Sequence, residues 1–323
     1  CLERFAERLQ GVAPAQVRAV ATQTLREARN RDVFIARGNA LLGHPIEVVS
    51  GPEEARLIYQ GVSHLLPPSQ ERRLVVDIGG RSTELILGRQ YQAHEMVSLR
   101  MGSVAWSARF FAEGQLSAQA FEDAQTAAKA QIDEVLAVFS PGQWDVAYGS
   151  SGTVGAVSQV LAAARVTDGR ITVDALRWCI EQCLAAGHMD KLKLPGLKED
   201  RRAVVGGGLC ILYTLLTQLG ISELLPAKGA LRQGVIFDLV ERASDDPQAA
   251  HDMRDASVDA LQQRFGIDLA QATRVQTLSQ ALYKQTVSRP LRELQRELGW
   301  AAALHEIGMT VSHHDHHRHS AYL

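Results

Sequence analysis

Residues 74–87 read Leu-Val-Val-Asp-Ile-Gly-Gly-Arg-Ser-Thr-Glu-Leu-Ile-Leu. Two carboxylates, Asp77 and Glu84, bracket a turn that contains two glycines and two hydroxyl residues, Ser82 and Thr83. Gly79 and Gly80 let the backbone approach an anion with no Cβ in the way, and the hydroxyls add donors. A carboxylate beside a phosphate is tolerable only where a cation screens the two charges. The pattern therefore predicts a phosphate held with Mg²⁺ at Asp77 and Glu84. A plain hairpin turn is the competing reading, and the flanking carboxylates and hydroxyls weigh against it.

A second small-residue loop, Gly149-Ser150-Ser151-Gly152-Thr153, follows a short strand at residues 146–148 and opens a helical pattern. Backbone donors and hydroxyls gathered at a strand end and helix start suit an anion. Ser151, Gly152 and Thr153 are thus candidate phosphate contacts, with a tight structural turn as the alternative. If a phosphate held there were to be hydrolysed, a base would have to orient a water in line with its phosphorus. Glu54 is the candidate, in the first turn of a helix capped by Ser50 and near a hinge, where it can face the Asp77 loop. Glu53, three residues after Ser50, reads as the capping-box partner.

The elements that must position these groups alternate between strand and helix. Strands are predicted at residues 17–21 and 46–49, with a helix over 25–42 between them and a capped helix from Ser50 to about Leu66. Residues 67–71 are polar and carry two prolines, a hinge into the next domain. After the Asp77 hairpin come a strand near 95–99 and helices over 104–111, 118–139, 173–186 and 199–219. Gly206-Gly207-Gly208 interrupts the last of these, at a cost of about 1 kcal/mol per glycine relative to alanine, so either another group approaches the backbone or helices pack closely there. A strand at 221–225 and a turn and helix over 229–239 follow. Composition shifts at 243–248, strand signals cease, and helices are predicted over 249–265, 269–287 and 291–308.

The sequence carries a formal net charge of −2 and 46% apolar residues, which excludes a global cationic field for nucleic acid or an anionic membrane. A polyanion would need local basic clusters, of which Arg26 with Arg29 and Arg31, and Arg201 with Arg202, are examples; most such charges are solvated surface. Of the cysteines Cys1, Cys179, Cys183 and Cys210, Cys179 and Cys183 sit four apart without zinc-site spacing and read as core thiols in a reducing compartment. Six of the eleven histidines fall between His305 and His319. Because Glu306, not aspartate, follows His305, a solvated or packing role is expected of them rather than a metal cluster.

Asp77-Ile78-Gly79-Gly80-Arg81-Ser82-Thr83-Glu84 resembles the second phosphate motif, Asp-Ile-Gly-Gly-Gly-Ser-Thr-Glu, of the exopolyphosphatase and guanosine pentaphosphate phosphohydrolase family. Further matches run in order through residues 22–26, 50–56, 101–104, 149–153, 194–197, 229–234, 305–308 and 317–323. The resemblance implies actin-like ATPase (ribonuclease H-like) α/β domains. Residues 1–62 would be the remainder of a first domain, 63–242 a second, and 243–323 the start of an all-helical HD-like domain without its metal dyad. It places the catalytic glutamate at Glu54, a phosphate-binding arginine at Arg26, phosphate on Gly79, Gly80, Ser82 and Thr83, and Mg²⁺ as cofactor.

Residues 98–102 and 194–197 look closer to the exopolyphosphatase branch, so release of orthophosphate from inorganic polyphosphate is the expected activity. Guanosine pentaphosphate hydrolysis is the alternative, and phosphate binding without turnover the third reading. A homodimer is expected of the full-length protein, in the cytoplasm or peripheral to the inner membrane. Two departures stand out: Arg81 occupies a position usually held by a small residue, and no Asp-x-Gly-Ser-Asn-Ser hairpin precedes the matched motifs. The chain is accordingly expected to be a fragment, with the first sheet lacking strands.

Overall fold

The computed structural model describes residues 1–243 and 253–320. The composition shift at 243–248, the predicted helix start at 249 and the closing Ala-Tyr-Leu fall wholly or mostly outside the described residues. The chain forms two compact units, Cys1–Val240 and Glu241–Leu323. No helix among the described residues is long and apolar enough to cross a membrane.

The first unit opens with helix α1 (Leu2–Arg8), strand β1 (Ala19–Ala21), helices α2 (Gln23–Glu27) and α3 (Arg31–Leu42), strand β2 (Ile46–Val48) and helix α4 (Gly51–Ser63). β1 and β2 pair in parallel as a two-stranded sheet. The single helix expected over 25–42 is two, separated by a break at residues 28–30. A five-stranded sheet follows, built from β3 (Arg72–Ile78), β4 (Thr83–Arg89), β5 (Gln92–Leu99), β6 (Val146–Ser150) and β7 (Leu224–Pro226), in the order β5-β4-β3-β6-β7. β3, β4 and β5 pair antiparallel, whereas β6 lies parallel to β3 and β7 parallel to β6.

Helices cover both faces of this sheet, and the period-2 alternation of β3 decides what each face meets. Leu74, Val76 and Ile78 enter the larger core with α5 (Ser103–Phe110), α6 (Ala118–Asp133), α7 (Ser151–Ala163), α8 (Val173–Ala186) and, after the short α9 (Glu199–Arg202), α10 (Val205–Gln218). Val75 faces the other way, with Ile86 of β4, onto Ala55, Ile58, Tyr59 and Val62 of α4. Each such fully buried aliphatic side chain contributes roughly 1.5–3 kcal/mol. Asp77 lies two residues beyond Val75, and Glu84 two before Ile86. The alternation that buries the valine and isoleucine therefore turns both carboxylates toward α4.

The glycine triplet does not interrupt α10. Gly206 lies under the Phe111 ring, a Cβ at Gly207 would be 2.7 Å from the Ser103 carbonyl oxygen, and one at Gly208 would be 2.7 Å from Thr153 Cγ2. Close helix packing, against α5 and α7, is what these glycines serve. Cys179, Cys183 and Cys210 are buried, and burial pushes the Cys179 and Cys183 thiols up to about 12. In α11 (Leu231–Ala243), Gly234 meets the Leu57 carbonyl of α4, and Gly61 of α4 meets the Ala230 carbonyl, each with no room for a Cβ. The two helix backbones touch.

The second unit is helical: α12 (Met253–Arg264), α13 (Leu269–Thr286), α14 (Arg292–Ala303) and α15 (His316–Ser320). Asp268 caps α13 by accepting from the Gln271 amide at 3.0 Å, and Trp300 Nε1 donates to Asp255 at 2.6 Å across α14 and α12. His305 contacts the Ala302 carbonyl oxygen at 2.7 Å, and the rings of His316 and His317 meet edge to face.

Candidate active site

The register of the five-stranded sheet places Ser98, Glu84, Asp77 and Ser150 side by side on four neighbouring strands. Ser98 Oγ donates to Glu84 Oε1 at 2.7 Å. Asp77 and Glu84 are 5% and 1% exposed, so neither charge is solvated by water. Burial pushes Asp77 up to about 6, opposed by the neighbouring Ser150 hydroxyl, while the Glu54 carboxylate adds to the rise. The relief from serine is limited, because a hydroxyl has one proton and those of Ser150 and Ser151 go to the Gly229 and Ile78 carbonyls at 2.8 and 2.6 Å. Glu84 is pushed up as well, by burial first and then by the charges of Glu54 and Asp77. Three carboxylates thus repel one another in a dry site.

Glu54 arrives from the first turn of α4, whose start is fixed by Ser50 Oγ accepting from the Glu53 amide at 3.3 Å. Its side chain is 8% exposed, and Oε2 lies 2.8 Å from Arg26 Nη1. That contact lacks hydrogen-bond alignment, so Glu54 Oε2 is left without a donor. Arg26 commits three of its five donors elsewhere, Nη1 to the Val49 carbonyl at 2.8 Å and Nε and Nη2 to Gln23 Oε1 at 3.0 and 2.7 Å. A buried carboxylate oxygen without a donor, facing two further carboxylates, suits a proton acceptor.

The predicted phosphate contacts divide into two groups. The Gly79 amide closes the hairpin onto the Ser82 carbonyl at 2.9 Å, and the Thr83 hydroxyl donates to the Met101 carbonyl at 2.6 Å in full burial. Those two hold the loop together, and neither offers its donor to a ligand. The amides of Gly80, Arg81 and Ser82 donate to no acceptor among the described residues. These three are the loop's open donors, and the sequence reading named only Gly80 and Ser82 among them. Arg81, about half exposed, reaches Glu27 at 3.2 Å, an exposed pair of small energetic worth.

At the second loop Ser151 adopts φ 73°, a left-handed conformation that costs a non-glycine residue energy, and its hydroxyl ties α7 to the end of β3. Gly152 and Thr153 sit in the first turn of α7, where amides have no intrahelical partner. Arg201 lies over this turn, so that a Cβ at Gly152 would be 2.7 Å from its guanidinium. In the sequence Arg201 reads as one of a pair of basic residues with Arg202, with nothing to set it apart.

All donors in the carboxylate row are oxygen, the chemistry of a hard divalent cation. Among the described residues no three Asp, Glu, His or Cys side chains converge into a cage of their own. Two carboxylates with remaining positions left to phosphate oxygens and water is the arrangement Mg²⁺ accepts, and the residues fit it.

Gly102 underlies the loop. The Ser103 and Val104 amides donate to the Gly79 and Gly80 carbonyls, each at 2.9 Å, which draws the start of α5 against the turn. A Cβ at Gly102 would overlap the Arg81 amide and come within 2.5 Å of the Gly80 carbonyl carbon. Gly102→Ala is therefore expected to cost about 1–3 kcal/mol of stability by overpacking and to weaken phosphate binding. A melting temperature and phosphate affinity equal to wild type would show that the loop has slack.

A family model described as "Ppx/GppA phosphatase family" matches residues 1–243, and one described as "Ppx/GppA phosphatase, domain III" matches residues 253–323. The guanosine-5'-triphosphate,3'-diphosphate pyrophosphatase of Vibrio cholerae is 40% identical over 328 aligned residues, covering 100% of this chain and 64% of that protein. The chain thus spans somewhat under two thirds of the length of this relative. Among solved structures, an exopolyphosphatase from Cytophaga hutchinsonii aligns with a TM-score of 0.65 and 21% identity, covering 74% of this chain and 80% of that one. The Ppx/GppA family member of Aquifex aeolicus aligns with a TM-score of 0.62 and 22% identity, covering 76% and 80%.

Proposed function

This chain belongs to the Ppx/GppA phosphatase family, and on that premise we propose that the protein hydrolyses the terminal phosphoanhydride of guanosine-5'-triphosphate,3'-diphosphate. Its first unit has the actin-like ATPase fold and its second corresponds to the family's helical domain III. The family acts on phosphoanhydrides, of polyphosphate or of guanosine pentaphosphate. The single observation favouring the nucleotide is the 40% identity, along the whole chain, to a protein named for that activity. The resemblance of residues 98–102 and 194–197 to exopolyphosphatases is confined to short segments, and polyphosphate becomes the second reading.

In this reading the amides of Gly80, Arg81 and Ser82, with Arg26, hold the terminal phosphate. The start of α7, at Ser151, Gly152 and Thr153, holds the next phosphate group. Glu54 takes the proton of the attacking water, its carboxylate facing the row of Asp77 and Glu84 with Arg26 beside it. Asp77 and Glu84 hold Mg²⁺, which supplies neutralisation of the charge on the phosphate oxygens. The division at residue 62 between two α/β domains, a homodimer and a cytoplasmic setting belong to the same proposal.

The test is competition between substrates in the full-length protein. Orthophosphate release from guanosine pentaphosphate is expected with a kcat/KM at least about tenfold above that from polyphosphate, a preference of 1.4 kcal/mol or more. The reverse preference would restore the exopolyphosphatase reading. No release from either substrate would sink both.

A further inference from the structure

The first turn of α4 carries two adjacent carboxylates that point in different directions. Glu54 faces the Asp77 and Glu84 row. Glu53 was expected to complete a capping box, and its amide does donate to Ser50 Oγ at 3.3 Å. Its carboxylate does not reach back: it accepts from Arg56 Nε and Nη2 at 2.7 and 2.8 Å and lies 3.7 Å from Arg18 Nη2. Behind both arginines stands Asp238 of α11. One of its oxygens accepts from Arg56 Nη2 at 2.6 Å and the other from Arg18 Nη1 at 2.6 Å. Arg18 also holds Glu47 of β2, at 3.0 and 3.1 Å.

Five charges thus form one chain, from Glu47 through Arg18, Asp238 and Arg56 to Glu53. The three central side chains are only 6%, 6% and 9% exposed. Bonds of this kind are short, directional and little weakened by water. Buried ion clusters contribute poorly to net stability, and their best-attested use is to select one arrangement over others. An arrangement does need selecting here. α4 and α11 touch backbone to backbone at Gly61 and Gly234, and the His64 and Phe237 rings stack at the C-terminal end of α4, while the ion cluster ties the first turn of α4 to α11.

We propose that Asp238, acting through Arg56 and Arg18, is a positioning residue that fixes the rotation of the first turn of α4 and so aims Glu54 at the carboxylate row. The proposal rests on Glu54 being the base. Asp238 acts through the two arginines whose guanidinium groups it accepts from.

The experiment compares wild type, Asp238→Asn, Asp238→Glu and Glu54→Gln in the full-length protein, by steady-state kinetics and by hydrogen exchange of the peptide spanning residues 46–62. Asp238→Asn is expected to lower kcat about 10–100-fold with KM changed less than about threefold, the mark of misplaced catalytic geometry. Amides 51–56 should exchange at least about tenfold faster, while those of the β3–β4 hairpin keep their protection. Asp238→Glu, which retains the charge, should recover part of the lost kcat. A kcat within about twofold of wild type would overturn the proposal, as would unchanged exchange at 51–56 or an equal loss of protection throughout the unit. If wild type releases no phosphate, or Glu54→Gln is fully active, it is the functional reading that fails. The exchange result still decides the clamp.

Discussion

Glu54→Gln in the full-length protein is expected to lower turnover by about two to four orders of magnitude while leaving substrate affinity nearly unchanged. Glutamine keeps the size and the first-turn position, so α4 remains docked through Ala55, Ile58, Tyr59 and Val62. What disappears is a proton acceptor in a site where water is scarce. The substitution also removes the 2.8 Å ion pair with Arg26, whose guanidinium stays held by Gln23 and the Val49 carbonyl. The measurement is kcat by phosphate release, beside equilibrium binding of guanosine pentaphosphate to the same variant. Near-normal turnover would remove Glu54 from the role, and a loss of affinity equal to the loss of rate would recast it as a binding residue.

The second large effect is expected at Asp77. Asp77→Asn should bring Mg²⁺-dependent phosphate release close to background, and it should also change how stability responds to pH. In the folded chain without a divalent cation, Asp77 binds its proton up to about pH 6, against an ordinary value of 3.8. Between those values the unfolded chain has released the proton and the folded chain has not. Folded stability therefore falls as pH rises through that window and stays lower above it, by about 3 kcal/mol at most. Glu84, shifted in the same direction, extends the fall to higher pH. Mg²⁺ should cancel much of this loss and release protons as it binds. Melting temperatures from pH 5 to pH 8, with Mg²⁺ and with chelator, carry the test. Coincident curves in the two conditions, or full activity of Asp77→Asn, would dismiss the cation site.

The parts of the site that could be read in the sequence are those written locally. The run from Leu74 to Leu87 contains both strands, the turn and both carboxylates, whereas their sharing a face depends on the hairpin register that pairs Asp77 with Glu84. The actin-like fold was legible through its motifs, and Glu54 through a cap three residues long. Other features depend on partners far along the chain. Thr83 reads as a phosphate donor until Met101 is seen to take its proton. Glu53 reads as a cap because its true partners include Arg18, and the clamp runs on to Asp238, separated from Arg56 by 182 positions. Arg201 reads as surface until its guanidinium is found over Gly152. The glycines of α10 read as a break because propensity is local, whereas Phe111, Ser103 and Thr153 make small residues necessary inside a continuous helix. For substrate preference the short segments 98–102 and 194–197 point to exopolyphosphatases, while the 40% identity along the whole chain is to a protein named guanosine-5'-triphosphate,3'-diphosphate pyrophosphatase.

The clamp also orders events in time as the polypeptide leaves the ribosome. The hairpin bearing Asp77 and Glu84 pairs with β5 and, through β3, with β6, so its neighbouring strands have all been made once residue 150 has emerged. The acid that orients α4 is not made until residue 238, after every other strand and helix of the first unit has been synthesised. Synthesis at roughly 5–20 residues per second leaves an interval of several seconds between the two. The loop with its open amides is thus made before the ion cluster that the proposal has aim Glu54, and the alignment of that side chain is among the last features the first unit acquires.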